Sequence, residues 1–265
     1  MNILLHSSKT MKKSTDNAFK LSVPVFINEA KTINQYLRQV SKETIEYRMK
    51  ISSKLADGVI SQINAWTSLE EKQTAAAEAF VGDIYSGLQF NTMSEAEKNI
   101  AQNKLRIISG MYGILKPLDG VSSYRLEMAY KLCPEPFKNL YDFWGDKLAK
   151  EIDSDQEIIN LTSLEYGKAI VPYLDKNKVI SPLFLTKNPI TNKYVNVAVH
   201  SKITRGFMAS WLIRNNVENI DKLKTFDGLG YSYDEDLSSY NIPVFKADSF
   251  GGIGLSVRQK KNSIN

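Results

Sequence analysis

The chain has 265 residues, 43% of them hydrophobic and 24% charged, a mix that suits a folded globular protein and excludes extended disorder, collagen and low-complexity classes. The balance of 34 basic against 29 acidic residues gives a net charge of +5, ordinary for a soluble protein and compatible with a polyanionic partner. With no apolar run near the roughly 18 residues of a membrane span, no signal-peptide core beyond Ile3-Leu4-Leu5, one cysteine (Cys133) and two histidines (His6, His200), the expectation is a cytoplasmic protein with no membrane partner, no internal disulfide, no zinc site and no cofactor.

In chain order, Asn2 to His6 reads as a short buried strand ending in the polar run Ser7-Ser8-Lys9-Thr10. Asn28 is placed to cap a helix carrying Ile33, Tyr36, Leu37 and Val40 inward, and Ser41 to cap the next, with Ile45 and Met49 on one face. Residues 70–81 are alanine-rich and favour helix by propensity. Ser94 and Glu97 form an S-x-x-E capping box, opening a helix expected to run to about Ser109 with Gly110 at its C′ position. Another helix is expected over 137–152, with Leu140, Phe143, Trp144, Leu148 and Ile152 as its apolar stripe.

Strands are expected at Glu157 to Leu161, Val179 to Leu185 and Tyr194 to Val199. The turn chemistry of Asn188-Pro189 and Asn192 makes 179–199 a hairpin. A helix starting at Ser201 and short strands near 231–233 and 243–246 complete the chain. With no repeat and no Pro/Gly/Ser linker, the pattern implies one α+β domain over residues 1–250 and a basic tail over 251–265 that carries Arg258, Lys260 and Lys261.

Several groups stand out chemically. Residues 98–131 hold Lys98, Lys104, Arg106, Lys116, Arg125 and Lys131 against only Asp119 and Glu127, and the first twenty residues hold Lys9, Lys12, Lys13 and Lys20 against Asp16. Lys9 and Thr10 follow a strand, a common place to hold a phosphate, although the glycines of a P-loop are absent; an exposed turn is the alternative. Leu105 to Leu118, with Gly110, Gly113 and flanking Arg106 and Lys116, is like a helix-hairpin-helix, which offers backbone N–H groups to a DNA phosphate. The alternative is a glycine-capped helix followed by a core-crossing loop. Arg125 offers a bidentate fork with Glu127 as its nearby acid. Lys202 and Arg205 share a helix face one turn apart and repel unless an anion or a carboxylate compensates them. Asp234-Glu235-Asp236 lacks the ligand spacing of a calcium loop.

An ordered set of motifs carries a family likeness: Ser8-Lys9-Thr10, Gly82-Asp83-Ile84-Tyr85-Ser86-Gly87-Leu88, Ser109-Gly110-Met111-Tyr112-Gly113 with Lys116-Pro117-Leu118-Asp119, and Tyr124-Arg125-Leu126-Glu127-Met128. Phe143-Trp144-Gly145-Asp146, Asn160-Leu161, Glu165-Tyr166, Arg205-Gly206-Phe207-Met208 and Gly230-Tyr231 complete it. The chain resembles the YaaA peroxide-stress proteins of bacteria over nearly its whole length. One departure lies in the first motif, usually Ser-Pro-Ala-Lys-Thr and here His6-Ser7-Ser8-Lys9-Thr10. The resemblance implies a cytosolic protein that limits free iron under hydrogen peroxide. It also implies a compact α+β fold (a central sheet, surrounding helices and a helix-hairpin-helix-like element) whose basic cleft binds duplex DNA. Carried over by motif, Lys9, Thr10, Arg106, Gly110, Gly113, Lys116, Arg125, Lys202 and Arg205 become the DNA or anion contacts.

Three functions are thus weighed. The first is non-sequence-specific binding of duplex DNA in a basic cleft. The second is an enzyme acting on a small anionic, nucleotide-like substrate, motivated by Asp83, Tyr85, Glu127, Asp146, Asn160, Ser163, Glu165 and Tyr166, a mixture that suits proton transfer better than phosphate gripping. The third, direct iron binding, finds no ligand spacing among the histidines and the cysteine.

Overall fold

Asn2–His6 (β1) is buried along its whole length, and an apolar strand without a polar face belongs in the middle of a sheet covered on both sides. The computed structural model, which describes residues 1–13, 20–69 and 72–252, places it there. Thr10–Met11 (β2) follows, then three helices, Ile27–Leu37 (α1), Lys42–Met49 (α2) and Ser53–Ala65 (α3). Ser41 and Ser52 cap α2 and α3 by accepting the Thr44 and Leu55 N–H groups. The α1 helix begins one residue before Asn28, after Phe26, and ends before Val40.

The alanine-rich stretch is helical only over Ala76–Ala79 (α4), between Thr74–Ala75 (β3) and Phe80–Val81 (β4); residues 70 and 71 lie outside the described ones. The β3 strand pairs with Gly120–Val121 and β4 with β2, so pairing on both sides overrides propensity. Asp83–Leu88 (α5) and Glu95–Lys104 (α6) follow, the latter opened by the expected Ser94–Glu97 box.

The helix does not reach Ser109. Leu105–Ser109 is a strand (β5), paired in parallel with β1 and in antiparallel fashion with Gly113–Leu115 (β6), and Gly120–Val121 (β7) comes next. The expected helix-hairpin-helix is therefore a β-hairpin. Leu105, Ile107 and Ile108 are fully buried, and β-branched residues crowded on both sides fit a central strand better than a helix face. The expected 137–152 helix is broken by Gly145, at φ +49°, into Leu140–Trp144 (α7) and Lys147–Lys150 (α8).

Ile158–Asn160 (β8) and Val179–Ile180 (β9) add to the sheet, with Leu164–Gly167 (α9) between them, and the order is β6-β5-β1-β8-β9. The expected strand over Val179 to Leu185 is split: Leu183–Lys187 (β10) begins a second sheet, where it pairs with Tyr194–Val195 (β11). That hairpin is shorter than expected, because Val197 already precedes the helix Ala198–Arg214 (α10). Ser232–Asp234 (β12) and Val244–Ala247 (β13) complete the order β11-β10-β13-β12. Helices and sheets are mixed as an α+β fold requires. The basic residues expected in the tail lie outside the described residues.

The α5 and α10 helices cross at two glycines. A Cβ on Gly87 would lie 2.1 Å from the Ile203 carbonyl oxygen, and one on Gly206 only 1.8 Å from that of Ile84. This contact places Asp83 and Tyr85 of α5 and Lys202 of α10 around one cavity.

Candidate functional site

The carboxyl ends of β1 and β8 lie side by side, and β1 is flanked by strands on both sides. Open sheets with parallel strands leave their ligand crevices outside such carboxyl ends. Here the turns after β1 and β8, together with α5 and α10, enclose a cavity of about 500 Å³. Its wall includes Lys9, Thr10, Asp83, Tyr85, Glu127, Ser163, Glu165, Tyr166 and Lys202.

His6, the last residue of β1, also lines the cavity. Its ring stands edge-on to Tyr166 with centroids 4.7 Å apart, and its backbone carbonyl accepts the Tyr85 hydroxyl at 3.0 Å. The Nδ1 atom is buried with no hydrogen-bond partner among the described residues. Burial first, then the positive charges of Arg205 and Lys202, hold its pKa down to about 3, so the imidazole is neutral at physiological pH.

Glu127 is buried beside it. The Tyr166 hydroxyl donates to its Oε1 at 3.0 Å, and Lys9 Nζ lies 3.8 Å from its Oε2. Burial raises the Glu127 pKa; Tyr166 and Lys9 oppose the rise, and Glu165 adds to it by repulsion. Burial also drives the Tyr85 and Tyr166 phenols well above their usual range, so both stay protonated donors. Glu165 is partly committed elsewhere, its Oε1 accepting the Ala129 N–H at 2.9 Å. Lys9 is half exposed, so its ion pair contributes little to stability. Its value lies in placing a charge at the cavity wall.

Arg205 sits one turn beyond Lys202 and acts on His6 with it. Neither Lys202 nor Arg205 has a carboxylate within 4.0 Å among the described residues, and burial lowers the Arg205 pKa. Among the described residues no carboxylate compensates these two cations.

The other expected contacts lie elsewhere. Arg106, on β5, donates to the carbonyls of Gln102 and Leu105 and lines a separate cavity with Glu151, Asp153 and Glu218 at the amino end of β1. Lys116 is exposed, and its backbone N–H is taken by Asp119. Gly110 and Gly113 serve packing rather than phosphate. A Cβ on Gly110 would meet the Leu126 carbonyl oxygen at 2.5 Å, and one on Gly113, at φ +70°, the Trp144 ring at 2.7 Å. The Met111 and Tyr112 N–H groups, which a helix-hairpin-helix would expose, both donate to Ser109 Oγ. Arg125 is half buried, its Nε lacking a hydrogen-bond partner among the described residues. Asp146 pairs with Lys150 in solvent, and Asn160 binds the hydroxyls of Ser181 and Thr162.

Sequence reasoning did not single out His6, Ser7 or Ser8 as site residues. The signal was available: His6 ends the apolar run Ile3-Leu4-Leu5 and Ser7-Ser8 follow it, and polar side chains at that place are the ones a strand-end crevice presents.

A family model described as peroxide stress protein YaaA matches residues 1–237. The chain belongs to the YaaA peroxide stress protein family. It is 40% identical to a UPF0246 protein of Salinispora tropica over 98% of both chains. It is 37% identical to one of Clostridium beijerinckii, covering 94% of this chain and 98% of that one. A further relative from Shewanella halifaxensis is 37% identical over 92% of this chain and 98% of its own. No helix among the described residues is long and apolar enough to cross a membrane, and no three His, Cys, Asp or Glu side chains among them gather as metal ligands.

Proposed function

We propose that this member of the family works by binding a small anionic, nucleotide-sized ligand in the cavity at the carboxyl ends of β1 and β8, with Glu127 and Tyr166 available for proton transfer on it. The observation that carries this reading is Lys202 on the cavity wall with Arg205 one turn further along α10, both acting on a neutral His6 and neither with a carboxylate partner among the described residues. Two such cations favour an anion between them, because it removes both their repulsion and the desolvation cost of Arg205. A cavity of about 500 Å³ falls within the range that holds a small ligand. The mixture of acids, phenols and cations suits an acid/base pocket better than a grip on phosphate alone. The test is calorimetric titration with inorganic phosphate and a nucleoside monophosphate. Saturable one-to-one binding lost in Lys202→Ala/Arg205→Ala supports the reading, and no binding by the native chain defeats it.

Duplex DNA is the second reading. Lys9, Lys12 and Lys13 are exposed on one segment beside the cavity, and a duplex laid there would neutralise them. Its affinity would fall steeply with salt and weaken in Lys12→Glu/Lys13→Glu. Arg106 and Lys116 do not join that segment, which is why this reading ranks second. On either reading the chain helps limit oxidative damage and free iron through the ligand or the DNA it binds.

A further inference from the structure

Buried polar groups in folded chains are almost always hydrogen-bonded, so one without a partner calls for an explanation. His6 is such a group. It is only 7% exposed, yet it lines the cavity at the carboxyl end of β1. The backbone around it is satisfied: its carbonyl accepts the Tyr85 hydroxyl at 3.0 Å, and the Ser7 N–H donates to the Ile108 carbonyl at 2.9 Å. The ring is not. Neither ring nitrogen has a hydrogen-bond partner among the described residues, and of the two only Nδ1 is sealed from solvent in that state. The neighbouring Tyr166 hydroxyl is already engaged, accepting from Ser7 Oγ at 3.3 Å and donating to Glu127 Oε1 at 3.0 Å. Tyr166 offers the imidazole ring contact alone, edge-on with centroids 4.7 Å apart.

These facts select a tautomer. A neutral imidazole carries one N–H and one lone pair. A proton on Nδ1 would be sealed in with no acceptor, a defect that folded chains nearly always avoid, whereas a sealed lone pair is tolerated more often. The proton therefore belongs on Nε2, the nitrogen that is not sealed, where the ring meets the cavity. Lys202 stands on the wall of the same cavity, with Arg205 one turn further along α10. An N–H and an ammonium on one wall call for the same occupant, an oxygen that bears negative charge. From this arrangement we infer that His6 is a binding residue of the cavity, its Nε2–H acting as a neutral, directional donor to an oxygen of the anion that Lys202 attracts. The two donors divide the task. An ammonium on a flexible stem is a point charge that draws an anion without fixing its orientation. The imidazole, held by β1 and by the Tyr166 ring, donates along one direction and so sets where the oxygen lies. The inference rests on the ligand reading above and adds to it the atom that orients the anion.

The test is nitrogen NMR of the full chain carrying isotope-labelled histidine, read through the carbon-bound ring protons at neutral pH, before and after saturation with inorganic phosphate. His6 is told from His200 by the loss of its signals in His6→Gln. The expected result is a protonated Nε2 and a bare Nδ1 in the free chain, with the Nε2 resonance moving as phosphate is added. By calorimetry, His6→Leu removes the donor and should weaken phosphate binding by about tenfold or more, whereas His6→Gln, whose amide also offers an N–H, should keep most of it. A proton on Nδ1 in the free chain overturns the inference. So does an Nε2 resonance that stays in place while calorimetry shows phosphate bound, or a folded His6→Leu protein that binds phosphate as the native chain does. Each of these three leaves the ligand reading standing, whereas a native chain that binds no phosphate removes both. If His6→Leu fails to fold, the NMR of the native chain decides alone.

Discussion

Gly206→Ala tests how the cavity is assembled. The new Cβ would lie 1.8 Å from the Ile84 carbonyl oxygen and 2.9 Å from the Leu88 nitrogen, both backbone atoms of α5. Ordinary contact needs about 3.4 Å, so α5 and α10 must separate by roughly 1.5 Å, with no flexible side chain to absorb the change. Overpacking of this kind costs about 3 kcal/mol, the upper end of its usual range, which lowers Tm by about 6–12 °C in a chain of this size. The same displacement pulls Tyr85 from the His6 carbonyl, now 3.0 Å away, and moves Lys202 relative to the β1 turn. Thermal unfolding by circular dichroism, with phosphate titration in parallel, reads both effects. Gly58→Ala is the control: its Cβ would meet nothing within 4 Å inside α3, and it should stabilise by about 0.4–1 kcal/mol. A Gly206→Ala protein melting within about 2 °C of the native chain would refute the close crossing of the two helices.

Three further outcomes are expected. His6 has a folded pKa of about 3 against 6.5 unfolded, so below pH 6.5 the unfolded chain binds the extra proton and stability falls with acid. The His6 share of that loss reaches about 2 kcal/mol by about pH 5, read as the difference between the native and His6→Gln urea curves, since Glu127 and Asp119, whose pKa values are raised by burial, act in the opposite sense and are common to both. Equal acid sensitivity in both proteins would contradict a buried neutral His6. Ser94→Ala breaks the capping box of α6 and should cost about 1 kcal/mol by denaturant unfolding, with phosphate binding unchanged. Gly113→Ala forces a side chain into φ +70° against the Trp144 ring and should destabilise more than Ser94→Ala, without altering any charge that a polyanion would feel.

Much of the site could be read from the sequence one residue at a time, but its assembly could not. The strand Asn2–His6 and the polar turn after it were legible because five apolar or terminal positions run into four polar ones. Lys202 and Arg205 were legible as a repulsive pair because helical spacing alone puts them together. What periodicity could not supply was the choice between helix and strand for Leu105 to Ser109. A short apolar run fits both, and only the buried place between β1 and β6 decides it. That one choice turned two glycines from phosphate-facing hairpin residues into packing residues, and it detached Arg106 from the expected cleft. The alanine-rich stretch 70–81 departed from expectation at its ends: Ala76–Ala79 is helical, but 74–75 and 80–81 pair as strands, where local propensity yields. The buried contact of Ser7 with Tyr166 was beyond sequence altogether: the two are far apart along the chain and meet only in the fold.

The central claim is that Lys202, with Arg205 behind it on α10, serves a small anion in the strand-end cavity rather than an extended polyanion track. Competition between a nucleoside monophosphate and a short DNA duplex, read by fluorescence anisotropy of labelled mononucleotide at low and at physiological salt, tests it most directly. The account predicts saturable mononucleotide binding that survives physiological salt, is not displaced by duplex there, and disappears in Lys202→Ala/Arg205→Ala. Mononucleotide that fails to bind while duplex binds through Lys202 and Arg205 would contradict it.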